Sequence, residues 1–139
     1  MHQLLLQIGL GCVLIAIATA LQAIGIGLAM MWRPVLARWV ARARLMHMSM
    51  VISAAGLWFL SGQMIGVWIW SAALLWLGAF ATFEPALYYA LAAYTTLGFG
   101  DVLPPPEWRI LGAVIGANGM LGFGLGTAAL VEFVRGVRR

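Results

Sequence analysis

Charged residues are scarce in this sequence, and lysine is absent. Of 139 residues only 9% are charged, whereas 64% are apolar, and the mean hydropathy is +1.00. A soluble domain of this length has no use for so much apolar surface, because folding removes only part of that surface from water. The composition therefore argues against soluble enzymes, nucleic-acid-binding modules and disordered linkers. It is typical of a chain whose solvent is the lipid bilayer.

Cysteine and histidine are also nearly missing. The single cysteine, Cys12, excludes an intrachain disulfide and a cluster of cysteine metal ligands, and its place inside an apolar run predicts a packing role. His2 and His47 lack the spacing of metal ligands, and we assign neither of them to proton sensing. We expect no organic cofactor and no catalytic centre.

Three uncharged stretches, residues 4–31, 45–83 and 110–131, are each long enough to cross a bilayer. Residues 18–20 read Ala-Thr-Ala, which is the small-residue pattern of a signal-peptide cleavage site. However, no obligate positive charge precedes the first stretch, and it continues well beyond the apolar region of a signal peptide. We therefore predict a retained transmembrane helix over residues 1–31.

The arginines cluster at two places. Residues 32–44 hold four of the eight, and residues 135–139 hold three. In the first cluster, apolar residues share one helical face and arginines another, so residues 32–44 are predicted to form an amphipathic basic linker in the plane of the interface. The positive-inside rule puts this linker and the C-terminus in the cytoplasm and the N-terminus outside. The linker is also a candidate contact for anionic membrane lipids.

The middle stretch, residues 45–83, would be about 55 to 60 Å long as one helix, roughly twice the hydrocarbon thickness. Two complete spans would put the two arginine clusters on opposite sides of the membrane. We therefore prefer one span over residues 45–66, followed by a tryptophan-rich stretch at the outer interface. The predicted aromatic belt consists of Trp68, Trp70 and Trp76.

A short helix is predicted next. Thr82 is a favoured N-cap, and Glu84 and Pro85 suit a first helical turn. Three turns over residues 83–94 extend only about 18 Å, so the helix ends near the middle of the membrane and the chain must turn back. Irregular backbone at that depth must be buried in protein or line a water-filled path.

Residues 95–101, which follow this helix, read Thr-Thr-Leu-Gly-Phe-Gly-Asp. Gly98 and Gly100 permit positive φ angles, which turn successive carbonyls toward one side. The segment resembles the selectivity filter of potassium channels. Residues 123–130 resemble the inner helix of the simplest bacterial members, which have two spanning helices per subunit. The resemblance extends over about residues 45–139.

The resemblance implies a fold. Together with the additional helix predicted at residues 1–31, it predicts an all-α membrane protein with three transmembrane helices plus a re-entrant pore helix and filter loop per subunit, assembled as a homotetramer in the bacterial inner membrane. The pore domain, residues 45–139, would contain an outer helix, pore helix 83–94, filter 95–101 and inner helix 108–134. The peripheral helix 1–31 has no counterpart, and it either braces the outer helix or mediates assembly.

The resemblance also implies functional residues, because rings of filter carbonyls replace the hydration shell of a bare cation. The implied K⁺ ligands are the carbonyls of Thr96, Leu97, Gly98 and Phe99 and the Thr96 hydroxyl, and Thr95, Gly100 and Asp101 complete the motif. The implied hinge is Gly119, and the implied cavity-facing positions are Met120, Phe123 and Thr127. Asn118, the only amide of the inner helix, either lines the cavity or bonds the pore helix.

Three residues depart from the family pattern. Phe99 replaces the commoner tyrosine and removes a hydroxyl that ties the filter to its surroundings. Leu97 replaces the usual valine or isoleucine. Ala92 stands where some bacterial members have a glutamate that pairs with the filter aspartate. All three departures concern the stability of the filter.

Charged residues flank both ends of the predicted pore. Asp101 would gather cations at the outer entrance, together with Glu84 and Glu107. Arg109 lies among them and is a candidate partner of Glu107 or Asp101, so these carboxylates serve either in a structural salt bridge or in steering cations. At the inner end, Glu132 and Arg135 either pair between subunits or are ordinary solvated residues.

The sequence therefore predicts passive, K⁺-selective conduction, with K⁺ as the permeant ion and no nucleic-acid partner. One alternative is a non-selective monovalent cation channel, and another is a structural subunit without a pore of its own. The third is an intramembrane aspartyl protease, whose Gly-x-Gly-Asp motif resembles residues 98–101. That chemistry needs two carboxylates that share a proton, and Asp101 is the only aspartate.

Overall fold

The structure, a computed structural model, describes residues 1–40 and 44–138, and the regular secondary structure in these ranges is entirely helical. The elements in chain order are α1 (His2–Val40), α2 (Arg44–Trp76), α3 (Phe83–Tyr94), a 3-10 turn (Pro106–Trp108) and α4 (Arg109–Arg138). α1, α2 and α4 are long and apolar enough to cross a membrane. The predicted fold class is confirmed: three long apolar helices accompany one short, pore-like helix.

α1 is longer than the sequence predicts. It continues past residue 31, through Pro34, and ends at Val40. Residues 32–40 are therefore the last turns of α1, and the expected linker in the interface plane is not a separate element there. Pro34 lacks the N–H that would bond one turn back, yet the helix continues around it. Two arginines of the predicted clusters, Arg42 and Arg139, lie outside the described residues.

α2 is also longer than the single span expected over residues 45–66. It runs unbroken for 33 residues to Trp76, and most of the tryptophan-rich stretch is its last turns. Gly78 terminates it with φ +71°, and the Ala79 and Gly78 N–H groups bond the carbonyls of Leu74 and Leu75 at 3.0 Å. This pattern is a Schellman motif, which needs a left-handed residue that glycine adopts without strain.

Trp70 corrects the predicted aromatic belt. Trp68 and Trp76 are 63% and 82% exposed, as interfacial anchors would be, but Trp70 is fully buried. It packs with Leu74 and Val67 of α2 against α3 and α4. This cluster fixes α3 in the half of the bundle where α2 ends and α4 begins. Its members from α3 are Ala86, Ala90 and Tyr94, and those from α4 are Leu111 and Ile115.

A second cluster joins α2 and α4 at the opposite end of the bundle, where Val51, Ala55 and Phe59 meet Phe133 and Val137. α1 packs along both α4 and α2. Only 17% of the most apolar segment of α1 is buried, so most of the surface of this helix is left for lipid.

Cys12 lies on the outward-facing surface of α1. Its side chain is exposed, so Cys12 does not have the predicted packing role within one chain.

Candidate functional site

α3 begins at an extended residue and ends against the loop that follows it. Thr82 has φ −134° and ψ 161°, and its side chain makes no capping hydrogen bond, contrary to the prediction. At the other end, Thr95 donates from its N–H to the Leu91 carbonyl at 3.0 Å and from its hydroxyl to the same carbonyl at 2.7 Å. The C-terminal turn of α3 and the start of the loop are therefore one bonded unit.

In the loop from Thr95 to Gly100, the backbone φ angle alternates between negative and positive values. Thr95 has φ −81°, whereas Thr96, Gly98 and Gly100 have φ +60°, +57° and +79°. Thr96 is the one non-glycine residue with positive φ in the described chain, a conformation that most L-residues avoid. Alternation of this kind turns successive carbonyls toward the same side instead of opposite sides.

The N–H groups in the first part of the loop are bonded to α3. Thr96 donates to the Ala93 carbonyl at 3.0 Å, and Leu97 and Gly98 donate to the Ala92 carbonyl at 2.9 and 3.2 Å. Within the described ranges, no hydrogen bond is accepted by the carbonyls of residues 96–99. The four oxygens expected to bind ions are therefore unoccupied by protein donors.

The side chains of the loop lie uncovered in one chain. Leu97 and Phe99 are 62% and 67% exposed. Beside them is an open cavity of about 300 Å³, whose walls include Ala93 of α3 and Gly116 of α4. Exposed apolar side chains beside a polar backbone are typical of a contact surface.

Asp101 has a partner that the sequence analysis did not identify. The Tyr88 hydroxyl donates to its Oδ2 at 2.7 Å, and this hydrogen bond holds the pKa of the Asp101 carboxyl below its ordinary value. Tyr88 lies one helical turn before Ala92, on the same face of α3, so it reaches the aspartate for which Ala92 supplies no partner. That spacing was the available signal.

The other charge pairs predicted for the pore domain are not made within the described part of the chain. Among the described residues, the one ion pair joins Arg33 of α1 to Glu132 of α4 at 3.7 Å. Arg109 therefore pairs with neither Glu107 nor Asp101. For Glu132, the expected alternatives were a pair with Arg135 between subunits and ordinary solvation. Within the chain its partner is Arg33 on α1.

Asn118 follows neither of the two alternatives considered for it. It is 2% exposed, and its Oδ1 accepts a 2.8 Å hydrogen bond from the indole N–H of Trp70 on α2. It therefore neither lines a cavity nor bonds the short helix α3.

Gly119 lies against the end of α3 inside an unbroken helix. A Cβ at this position would overlap the carbonyl of Tyr94. Close approach of two backbones therefore explains this glycine. The hinge role implied by the resemblance stays a prediction.

The three positions predicted to face a cavity are all exposed on α4, and Met120 is 67% exposed. Phe123 and Thr127 line one open groove of about 670 Å³ with Glu132 and Arg135. Met120 is not part of its lining. The structure thus brings two of the three together on one face of the inner helix.

Two comparisons with known proteins bear on this arrangement. A family model described as "Ion channel" matches residues 46–136, more than half of the chain. The match spans α2, α3, the loop and most of α4, and it leaves α1 outside. No solved structure matches the chain.

Proposed function

The chain belongs to the ion channel family, and from this premise we propose that it is a potassium-selective channel that conducts K⁺ passively through a filter on the axis of a homotetramer. Family membership makes it a membrane ion channel and not an enzyme, so the protease alternative is removed. Selectivity and assembly are supported by the loop that follows α3.

The observation that carries the proposal is the alternating backbone at residues 95–100. Positive φ at Thr96, Gly98 and Gly100 favours carbonyls that face one side. The N–H groups of residues 95–98 are held by α3. Oxygens that accept no bond from the protein are available to replace water around a dehydrated monovalent cation. α3 adds the partial negative charge of its C-terminal end, which favours a cation there.

The homotetramer follows from what one chain leaves incomplete. A single loop offers oxygens from one side only, whereas a dehydrated cation requires them all around. Leu97 and Phe99 lack cover in one chain, and neighbouring copies would supply it. Four copies are the number that the resemblance to potassium channels implies.

The positions of the arginines support an orientation in the membrane. The ion pair between Arg33 and Glu132 sets the C-terminal end of α1 beside that of α4, so Arg33, Arg38 and Arg135 gather at one end of the bundle. The positive-inside rule puts that end in the cytoplasm and the N-terminus outside. A bacterial inner membrane, rich in anionic lipid, suits this basic end.

The test is flux through the purified protein in liposomes, with reversal potentials measured in K⁺ against Na⁺. We expect a strong preference for K⁺ and a tetrameric mass. Equal permeability would instead support the non-selective cation channel, and a monomer without flux would support a structural subunit.

A matched pair of variants links the flux to the loop. A Cβ at Gly98 or at Gly56 meets nothing within 4 Å, but only Gly98 has positive φ. Gly98→Ala should therefore abolish K⁺ flux with membrane insertion intact, because alanine costs about 1 to 2 kcal/mol in the left-handed region. Gly56→Ala should conduct normally. Normal flux in Gly98→Ala would contradict the filter assignment.

A further inference from the structure

Tyr94 is the last residue of α3 and directly precedes the loop. It is 2% exposed, and three glycines make room for it. A Cβ at Gly66 of α2 would lie 2.7 Å from its hydroxyl oxygen, one at Gly122 of α4 would lie 2.8 Å from it, and one at Gly119 would overlap its carbonyl. The base of the loop is thus fixed where α2 and α4 lack side chains.

The Tyr94 hydroxyl begins a chain of hydrogen bonds. It donates to Oε1 of Gln63 on α2 at 3.0 Å, and Nε2 of Gln63 donates to the backbone carbonyl of Gly122 on α4 at 2.8 Å. Gln63 is 3% exposed. A buried amide that is bonded at both ends has little freedom to reorient, because any other position leaves a polar group unpaired.

α1 supplies the last member of this chain. Nε2 of Gln22 donates to the same Gly122 carbonyl at 2.7 Å, which is possible because a carbonyl has two lone pairs. Gly126, one turn further along α4, leaves the space: a Cβ there would lie 3.0 Å from Nε2 of Gln63 and 3.7 Å from that of Gln22. Gly122 and Gly126 form a notch in α4 that admits both amides.

We propose that Gln22 is a positioning residue for the filter. It acts through the Gly122 carbonyl and Gln63 on Tyr94, and so holds the base of the loop at the spacing that K⁺ requires. This role gives α1 a function in selectivity, although it contributes no residue to the loop. The inference rests on the proposed function, because it needs a filter whose selectivity can be measured.

Another glutamine on α1 provides a matched control. Gln7 is 3% exposed, and its amide donates only to the Gln3 carbonyl of its own helix, at 3.5 Å. Gln7→Leu and Gln22→Leu make the same chemical change in the same helix, but only Gln22→Leu breaks a bond to the pore. A role of α1 in packing alone would give Gln22→Leu no larger effect on selectivity than Gln7→Leu.

The experiment is the permeability ratio of K⁺ to Na⁺, taken from reversal potentials of the wild-type and variant proteins in liposomes. We expect the ratio to fall in Gln22→Leu by up to about threefold, the limit reached when the whole free energy of one average hydrogen bond within a membrane is transmitted to the filter. The ratio in Gln7→Leu should equal that of the wild type. A wild-type ratio in Gln22→Leu, or an equal fall in both variants, would overturn the inference while leaving the proposed function intact.

A second variant covers failure of Gln22→Leu to assemble. Gln22→Asn keeps the amide but is one methylene shorter, so it loses the reach to Gly122 with little change in packing. A similar fall in its ratio supports the inference, and an unchanged ratio overturns it. A wild-type protein that does not distinguish K⁺ from Na⁺ removes the proposed function itself, and the inference with it.

Discussion

Trp70 and Asn118 form a hydrogen bond of 2.8 Å between α2 and α4, and both side chains are almost completely buried. The bond joins the two helices beside α3, where burial shields both groups from water. Its loss leaves an amide oxygen unpaired in an apolar environment, which is more costly than the bond is favourable.

Trp70→Phe should therefore lower the free energy of unfolding by about 1 to 3 kcal/mol. The measurement is the unfolding temperature of the purified protein in detergent. Trp68→Phe is the control, because Trp68 is 63% exposed on the same helix, and it should change stability by less than about 0.5 kcal/mol. Adding Asn118→Leu to Trp70→Phe should restore part of the loss, because both polar groups are then gone. Equal shifts in the two tryptophan variants would contradict the prediction.

Tyr88→Phe should make conduction more sensitive to outside acid. The Tyr88 hydrogen bond holds the pKa of Asp101 below its ordinary value. The carboxylate and its hydrogen bond are therefore fully present at any pH above the ordinary pKa, and they are lost only when the pH falls through the lowered pKa. Without the hydroxyl the pKa rises toward the ordinary value, and block should set in at a higher pH. Current against outside pH measures the midpoint in both proteins. Tyr89→Phe removes a neighbouring hydroxyl and should keep the wild-type midpoint, whereas unchanged midpoints in both variants would speak against the prediction.

Gly119→Ala should disturb the base of the filter. The added methyl overlaps the backbone carbonyl of Tyr94, which cannot rotate away as a flexible side chain would, so we expect reduced K⁺ flux and a loss of about 1 to 3 kcal/mol in stability. Gly124→Ala, where a Cβ meets nothing within 4 Å, should be neutral or slightly stabilising. Flux and unfolding temperature of both variants provide the test. Full stability of Gly119→Ala with altered opening alone would favour the hinge that the resemblance implies.

The ion pair between Arg33 and Glu132 should contribute little to stability. Its atoms are 3.7 Å apart, and the side chains are 38% and 58% exposed, so solvent screens the attraction. A double-mutant cycle with Arg33→Gln and Glu132→Gln should give a coupling of less than about 1 kcal/mol, and less again at high salt. A coupling well above that value would indicate a clamp between α1 and the inner end of α4.

Local signals were sufficient for α3 and its loop. Glu84 and Pro85 favour a helix start, and Gly98 and Gly100 permit the backbone that the structure has at those positions. Such signals act within a few residues, so they do not depend on how the long helices pack. Thr96 is the exception, because threonine gives no indication of a positive φ.

The contacts between helices could not be predicted from the sequence. Tryptophan favours the membrane interface, but packing of α2 against α3 and α4 buries Trp70 and matches it with Asn118. An amide in a span predicts that it has a partner, yet several helices offer one. The same holds for Gln22 and Gln63, whose shared acceptor depends on the notch at Gly122. The end of α1 was also predicted too early, because the helix continues past the uncharged stretch and through Pro34 to Val40.

The length of α2 has a consequence for the shape of the outer surface. Its 33 residues make a rod of about 50 Å, which even at a tilt of about 40° rises roughly 38 Å across a hydrocarbon layer of about 30 Å. In the orientation proposed above, we expect part of this surplus at the Trp76 end, where it would lift the turn at Gly78 to headgroup level. α3 follows this turn, so the outer mouth of the proposed pore would be a shallow vestibule walled by protein.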